Sequence, residues 1–309
     1  MERKLVWFDT DTGVDDAIAL LTGFKMPEVE IVGVSAVAGN AELKYTFKNA
    51  RNVVYLAKEN VKVFKGAEKP LELDLVTAPH AHGVNGLGDA EIEESDAPIE
   101  TKEAWDALYE KAKELNGKLK VVAVGPLTNI ALTIKKYPDF KDYCKEIYIM
   151  GGSAFGGNAT PCAEFNIYAD PHAAKIVFDS GIHIYMFGLD VTQKALLNHD
   201  DIEELCSYNN PASDLFKNSI SYLISLYEGM DVYGLCEHDS CPMIYVAHPE
   251  LFKGEDCGVY VETQGELTRG ETVCDLLSHG KYEDRHCTVF LDVDREKFVN
   301  IIKNAYKQY

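Results

Sequence analysis

Four carboxylates stand within eight residues near the start of the chain, at Asp9, Asp11, Asp15 and Asp16. Like charges held this close repel one another and raise each other's pKa, so a fold does not gather them for stability. Hard divalent cations take oxygen ligands, which carboxylates supply. The cluster therefore predicts a site built around a bound cation. An EF-hand loop does not fit this spacing, because Leu20 stands where that loop needs its bidentate glutamate.

A second candidate group lies far along the chain, where His238 is followed directly by Asp239. The carboxylate of Asp239 can reach a metal while the neighbouring imidazole faces a reacting group. Histidine titrates near neutral pH and is a common proton-transfer side chain. His82, in a segment rich in glycine and acid, is a second histidine candidate.

Polar side chains also follow glycines in several predicted loops. Glycine lets the backbone approach a ligand closely, and amides with carboxylates suit the hydroxyls of a polyol. No lysine completes a GxxxxGK loop, so nucleotide phosphate is not indicated. Together these loops predict a sugar-binding pocket, formed by the segments 38–40 (AGN), 124–129 (VGPLTN), 150–152 (MGG), Asn158 and 163–171 (AEFNIYADP).

The elements that must position these residues alternate between short apolar strands and amphipathic helices. This alternation is typical of an α/β fold with an open, mostly parallel central sheet flanked by helices. Ligands of such sheets bind outside the carboxyl ends of the strands, where the acidic cluster and polar loops fall. Strands are predicted at 5–8, 31–36, 61–64, 119–124, 147–150 and 184–187, and helices at 14–24, 42–57, 102–115, 127–137 and 171–179.

The last third of the chain is predicted to be helical at 200–207 and 211–227, with late strands at 258–262 and 289–293 and a terminal helix at 295–306. No linker or repeat interrupts the pattern, which favours a single domain over 1–309. Two irregular stretches, near 79–98 and 228–237, are expected to be lid-like loops, the usual role of long irregular segments in a compact domain.

Composition limits the classes of partner. Lys and Arg total 30 against 50 Asp and Glu, a formal charge of −20, so neither nucleic acid nor a membrane is an expected partner. The eight cysteines are scattered without a CxxC pair, and no apolar run approaches the roughly 18 residues of a membrane helix. These features predict a soluble, cytoplasmic protein with reduced thiols.

The segment DTDTGVDDA at 9–17 resembles the fingerprint DTDxGxDDA of the nucleoside hydrolase family. The polar segments above and the pair His238-Asp239 follow in the order that the family shows, over nearly the whole chain. The resemblance implies an open, mostly parallel α/β fold that binds Ca²⁺. It also implies hydrolysis of the N-glycosidic bond of ribonucleosides, with inversion at C1′.

The resemblance also implies roles for individual residues. Asp11 would be the general base on the attacking water and a calcium ligand, and the other calcium ligands would be Asp16, Asp239 and the carbonyl of Val124. The ribose 2′ and 3′ hydroxyls would be held by Asp15, Asn40, Asn166 and Asp239. Around the rest of the ribose, Asn158 and Glu164 would reach toward the 5′ hydroxyl, and Met150 would line the sugar.

On the base side, His238 resembles the family's acid, and His82 would assist it. A histidine before Asp239 resembles the subgroup acting on inosine and uridine or on pyrimidine nucleosides. Tyr227 and Tyr233 are the aromatic candidates there. The resemblance further implies a homodimer or homotetramer.

Two other functions are compatible with part of the pattern. A haloacid-dehalogenase-type phosphatase would use Asp9 as phosphoryl acceptor and Asp11 as general acid. The later motifs that such a phosphatase requires are absent from this sequence, and this function would leave Asp15, Asp16 and the His238-Asp239 pair unexplained. A non-catalytic, calcium-dependent nucleoside or ribose binder would use the same residues but release no base.

Overall fold

The computed structural model describes residues 2–229, 234–277, 280 and 284–309. Within these residues there are twelve strands: β1 (Lys4–Thr10), β2 (Val29–Ala36), β3 (Val63–Lys65), β4 (Leu119–Ala123), β5 (Glu146–Met150), β6 (His183–Phe187), β7 (Leu196–Leu197), β8 (Leu235–Cys236), β9 (Phe252–Cys257), β10 (Val259–Val261), β11 (Thr272–Cys274) and β12 (Cys287–Val293).

The same part of the chain contains fourteen α-helices and a 3₁₀ helix at Pro249–Leu251. The α-helices are α1 (Val14–Lys25), α2 (Leu43–Leu56), α3 (Pro79–His82), α4 (Ala104–Leu115), α5 (Thr128–Lys136), α6 (Phe140–Tyr143), α7 (Phe165–Ala169), α8 (Pro171–Phe178), α9 (Leu189–Thr192), α10 (His199–Cys206), α11 (Pro211–Ser219), α12 (Ser221–Glu228), α13 (Ser240–Ala247) and α14 (Arg295–Tyr306).

Eight strands form the central sheet, in the order β3-β2-β1-β4-β5-β6-β12-β9. Neighbouring strands run parallel except at one edge, where β9 pairs antiparallel with β12. The strand pairs β10–β11 and β7–β8 are separate antiparallel ribbons. This architecture confirms the predicted open, mostly parallel α/β fold.

Residues of β1 alternate between two hydrophobic cores, one on each face of the sheet. Val6 and Phe8 belong to one core, and Trp7 belongs to the other. A strand covered on both faces must be apolar almost throughout, as β1 is. Full burial of a side chain such as Phe8 contributes about 1.5–3 kcal/mol. The sheet centre therefore holds the tip of β1, and the acidic segment after it, in a fixed place.

The predicted elements are observed with one exception, but the strands β7, β8, β9 and β11 were not predicted. Strand β9 was not predicted, because its sequence FKGEDC is polar and its four central residues are exposed. An edge strand has a neighbour on one side only and needs no apolar alternation along its length. The helix predicted at 211–227 is two helices, which meet at Ile220, so that prediction was wrong at this point.

The first of the two expected lid-like loops, 79–98, is held by hydrogen bonds within itself and to α2. It begins with α3, and the amide of Gly88 donates to the carbonyl of His82 at 2.7 Å. The side-chain amide of Asn49 donates to the carbonyl of Asn85 at 2.7 Å. Part of the second loop, 230–233, lies outside the described residues. In the described ranges, no helix is long and apolar enough to cross a membrane.

Candidate active site

The residues singled out by the sequence meet at the carboxyl ends of the central strands. Asp11 follows β1, Asn40 follows β2, Val124 follows β4 and Met150 ends β5. Because these strands are parallel neighbours or near neighbours, their ends lie at one edge of the sheet. The predicted placement is therefore observed.

Three carboxylates form the tightest acidic group in the described residues. One carboxylate oxygen each from Asp15, Asp16 and Asp239 lies within 4.8 Å of the others, and all three side chains are buried. Asp15 and Asp16 are in the first turn of α1, and Asp239 directly precedes α13. The predicted metal ligands included Asp11 rather than Asp15, and Asp11 lies just outside this group.

Asp11 is fully buried against two glycines. Its Oδ2 accepts a hydrogen bond from the amide of Asn40 at 2.6 Å, while its Oδ1 has no partner. A Cβ at Gly39 would lie 2.1 Å from Oδ2, and one at Gly125 would lie 2.7 Å from Oδ1. Burial, followed by the charge of Asp16, raises the pKa of Asp11 well above its usual value. The free oxygen therefore needs a cation or a proton.

Asp16 and Asp15 differ in how well their oxygens are satisfied. Asp16 accepts from the hydroxyl of Thr10 at 2.5 Å and from the amide of Gly13 at 2.8 Å, so part of its role is to cap α1. Asp15 Oδ1 is buried without a partner and lies 4.0 Å from His82 Nδ1. Burial raises the pKa of Asp15 to about 6. Helix capping accounts for Asp16 alone, not for the cluster.

The donor set fits a hard divalent cation. Burial is the largest cause that raises the pKa of each of the four cluster carboxyls: Asp11, Asp15, Asp16 and Asp239. The available donors are oxygens, which Ca²⁺ and Mg²⁺ prefer. The carbonyl of Val124 accepts from Asn166 Nδ2 at 2.9 Å, which places this predicted metal ligand beside one of the predicted sugar ligands.

A cavity of about 640 Å³ opens over this group. Asp11 and Asp16 are fully buried and do not line it. The wall carries all of the other predicted site residues, which are Asp15, Asn40, His82, Val124, Met150, Asn158, Glu164, Asn166, Tyr227, His238 and Asp239.

The loop that carries the predicted sugar-binding residues is held by its own polar side chains. Glu164 accepts from the amides of Gly152 and Asn166, each at 2.9 Å, and caps α7. Asn158 Oδ1 accepts from the amide of Phe165 at 2.9 Å. Burial raises the pKa of Glu164 to about 7. Both side chains therefore shape the cavity wall as well as line it.

Both nitrogens of the His238 imidazole are hydrogen-bonded. Nε2 lies 2.8 Å from the phenol oxygen of Tyr227, and Nδ1 lies 2.7 Å from the hydroxyl oxygen of Thr192. Burial, with a smaller contribution from His82, lowers the pKa of His238 to about 4. Burial likewise lowers the pKa of His82 to about 4. Both imidazoles are therefore neutral at pH 7. Their pKa values lie below the near-neutral value expected from the sequence. Tyr233 lies outside the described residues.

Sequence reasoning missed several residues of the wall. Leu223 and Leu226 of α12 line the cavity beside Tyr227, and their i, i+3, i+4 spacing could have indicated one face of a helix. Thr192 gave no signal, because it is 46 residues from the histidine it contacts.

A family model described as inosine-uridine preferring nucleoside hydrolase matches residues 6–300 of the chain. The chain belongs to the inosine-uridine preferring nucleoside hydrolase family, a family of N-ribosyl hydrolases, which confirms the predicted enzyme class. It is 39% identical to the pyrimidine-specific ribonucleoside hydrolase RihA of Citrobacter koseri and 37% identical to that of Salmonella newport, in each case over 98% of both chains.

Solved structures support the same assignment. A plant nucleoside hydrolase, PpNRh1, has a TM-score of 0.93 at 29% identity over 99% of both chains. A purine-preferring ribonucleoside hydrolase from Gardnerella vaginalis has a TM-score of 0.92 at 31% identity, covering 99% of this chain and all of that one.

These findings do not favour the phosphatase alternative. Asp9, its proposed phosphoryl acceptor, is fully buried and accepts from Asn129 Nδ2 at 2.7 Å and from the hydroxyl of Ser35. Through these two contacts Asp9 links β1 to Ser35 of β2 and to Asn129 of α5.

Proposed function

We propose that this protein is a calcium-dependent ribonucleoside hydrolase that cleaves the N-glycosidic bond to give free base and ribose. One observation carries the proposal. Unpartnered oxygens of Asp11 and Asp15 lie beside the sugar-binding amides of one cavity, whose wall also holds the hydrogen-bonded pair His238–Tyr227.

The ribose is proposed to lie over the acidic group. Asp15, Asn40 and Asn166 line the cavity near Asp239, and carboxylates and amides together can accept from and donate to the 2′ and 3′ hydroxyls. Asn158 and Glu164 would approach the 5′ hydroxyl, with Met150 against the sugar ring, as the resemblance implied.

Calcium would be held by the carboxylates of Asp11, Asp16 and Asp239 and by the carbonyl of Val124. When bound, it supplies a positive charge that orients a water molecule and lowers its pKa. Asp15 belongs to the observed carboxylate group, and from this position it is proposed to accept a hydrogen bond from a ribose hydroxyl.

The chain's own residues would carry the proton transfers. Asp11 accepts a proton from the water whose oxygen attacks C1′, while the C1′–N bond breaks and its electron pair leaves with the base. The surrounding carboxylates stabilise the positive charge that develops on the ribosyl centre. The hydrogen-bonded pair His238–Tyr227, in which the imidazole is neutral, would donate a hydrogen bond to the departing base, with His82 beside it.

Pyrimidine nucleosides are the proposed preferred substrates. The relatives named pyrimidine-specific are 37% and 39% identical to this chain, against 31% for the solved purine-preferring enzyme. In this structure, the cavity wall holds the His238–Tyr227 pair and no tryptophan among its described lining residues.

The proposed function predicts release of free ribose from nucleosides in phosphate-free buffer containing Ca²⁺. We expect kcat/KM to be higher for uridine and cytidine than for inosine, and higher for inosine than for adenosine. A reducing-sugar assay, with the loss of nucleoside absorbance as a second readout, measures all four. The absence of ribose release from the whole panel by the folded, calcium-loaded protein would refute the proposed function.

The carboxylates also predict how stability depends on pH and calcium. Asp15, with a pKa of about 6, and Asp9, with a pKa of about 7, bind protons in the folded state that an unfolded carboxyl, with a pKa of about 3.9, has already lost. Buried His82 and His238, whose pKa values are lowered to about 4, act in the opposite direction below the unfolded histidine pKa of about 6.5. The stability of the metal-free protein should therefore fall as pH rises from about 6.5 to 8.

Bound calcium favours the ionised carboxylates, so its stabilising effect should be larger at pH 8 than at pH 5. At a calcium concentration 100 times Kd, the expected gain is about 2.7 kcal/mol. Thermal unfolding with chelator and with Ca²⁺ at both pH values measures this gain, and Mg²⁺ in place of Ca²⁺ tests which ion is preferred. An unfolding temperature that is unchanged by either ion would contradict the proposed metal site.

A further inference from the structure

The contact between Thr192 and His238 joins a buried helix that follows a strand of the central sheet to the cavity wall. Thr192 ends α9, directly after the central strand β6, and its side chain is fully buried. Its backbone amide donates to the carbonyl of Gly188 at 3.1 Å, and its hydroxyl oxygen lies 2.7 Å from His238 Nδ1. The sheet therefore fixes the position of this hydroxyl.

The second contact of the imidazole comes from a less enclosed element. Tyr227 is on α12, a helix in which only Leu223 is buried among its eight residues. Rotation of the imidazole about its bond to Cβ would break both hydrogen bonds. Without the Thr192 hydroxyl, the ring would be held only through a helix that is itself largely exposed.

We propose that Thr192 is a positioning residue for the reaction. Its hydroxyl holds the His238 imidazole so that Nε2, together with the Tyr227 hydroxyl bonded to it, faces the part of the cavity where the base leaves. This inference rests on the proposed function, because it assigns His238 to the departing base. Thr192 acts through His238 and does not contact the substrate itself.

The position of His238 matters only for leaving groups that need help. A nucleobase departs with the electron pair of the C1′–N bond and must receive a hydrogen bond or proton. A 4-nitrophenolate anion is stable in water and needs neither. A substitution at Thr192 does not change the carboxylates that act on the ribosyl centre and the water. Comparison of the two substrates therefore separates an effect on the leaving group from an effect on the attack at C1′.

The test compares Thr192→Val with the wild-type protein on uridine and on 4-nitrophenyl β-D-ribofuranoside. Valine keeps the shape of threonine and removes the hydroxyl. We expect kcat for uridine to fall at least about 10-fold, part of the 10²–10⁴-fold that a positioned proton donor contributes. We expect kcat for the nitrophenyl riboside to change less than about 3-fold, since that substrate does not use the donor. KM should change little for either.

Thr192→Ser, which keeps the hydroxyl, should recover most of the uridine activity. Thr192→Ala gives the same comparison if the valine variant does not fold. Thr22→Val is the matched control, because Thr22 is also fully buried but its hydroxyl has no hydrogen-bond partner. It should leave both activities unchanged.

Equal loss on both substrates, or no loss on uridine, would overturn the positioning role of Thr192. A wild-type protein that releases ribose from no nucleoside would instead overturn the proposed function. The two failures are therefore distinguishable within one set of assays.

Discussion

Replacement of Asp11 by asparagine is expected to lower kcat for uridine by about 10³–10⁴-fold, in the upper part of the range for a lost general base. Asparagine has nearly the same shape but cannot accept the proton of the attacking water. The Asp11→Asn protein should remain folded. In the metal-free state its unfolding temperature at pH 8 should equal or exceed that of the wild type, because a buried charge close to Asp16 is removed.

Steady-state ribose release and thermal unfolding of the same samples measure this prediction. Asp142→Asn is the control. This exposed carboxylate lies on α6, which precedes β5 and is therefore near the amino ends of the strands, away from the carboxyl ends that carry the site. The variant also separates an enzyme from a nucleoside binder. A pure binder would bind uridine without release of base, with or without Asp11. Full turnover by Asp11→Asn would show that another group activates the water.

Replacement of Asp239 by asparagine is expected to weaken calcium binding on the order of 100-fold, because the affinity of oxygen sites for Ca²⁺ follows the charge of the ligands. Asp239 is the member of the carboxylate group that comes from the far end of the sequence, at the start of α13. Activity should fall with calcium affinity and return in part at high calcium concentration.

Calcium titration by calorimetry, together with activity across calcium concentrations, tests the role of Asp239. Glu237→Gln is a matched control. Glu237 is a fully buried carboxyl two residues away, it accepts from the hydroxyl of Ser240 at 2.9 Å, and it lies outside the group of three carboxylates. An unchanged calcium Kd in Asp239→Asn would remove Asp239 from the metal site.

Local sequence signals were sufficient for seven of the eight strands of the central sheet and for the first half of the site. Strand β1 and helix α1 are strongly patterned, and the acidic segment stands between them, so the placement of Asp11, Asp15 and Asp16 follows from short-range rules. Asn40, Val124 and Met150 follow buried strands, and the geometry of parallel sheets brings such strand ends together.

Contacts between distant and weakly patterned segments could not be predicted in this way. Strand β9 lies at the edge of the central sheet, so its sequence is polar and carries no apolar pattern. The partner of His238 is Thr192, which is fixed by the end of β6 rather than by any motif. The neutral state of His238 also depends on burial, which is a property of the whole fold. Such features require the three-dimensional packing.

Calcium-dependent hydrolysis of nucleosides is tested most directly by following uridine in phosphate-free buffer with one preparation under two conditions, with Ca²⁺ and with chelator. We expect uracil and ribose in equal amounts with Ca²⁺, loss of the reaction on chelation, and its recovery when Ca²⁺ is restored. Uridine binding without product, or an equal rate in chelator, would contradict this expectation.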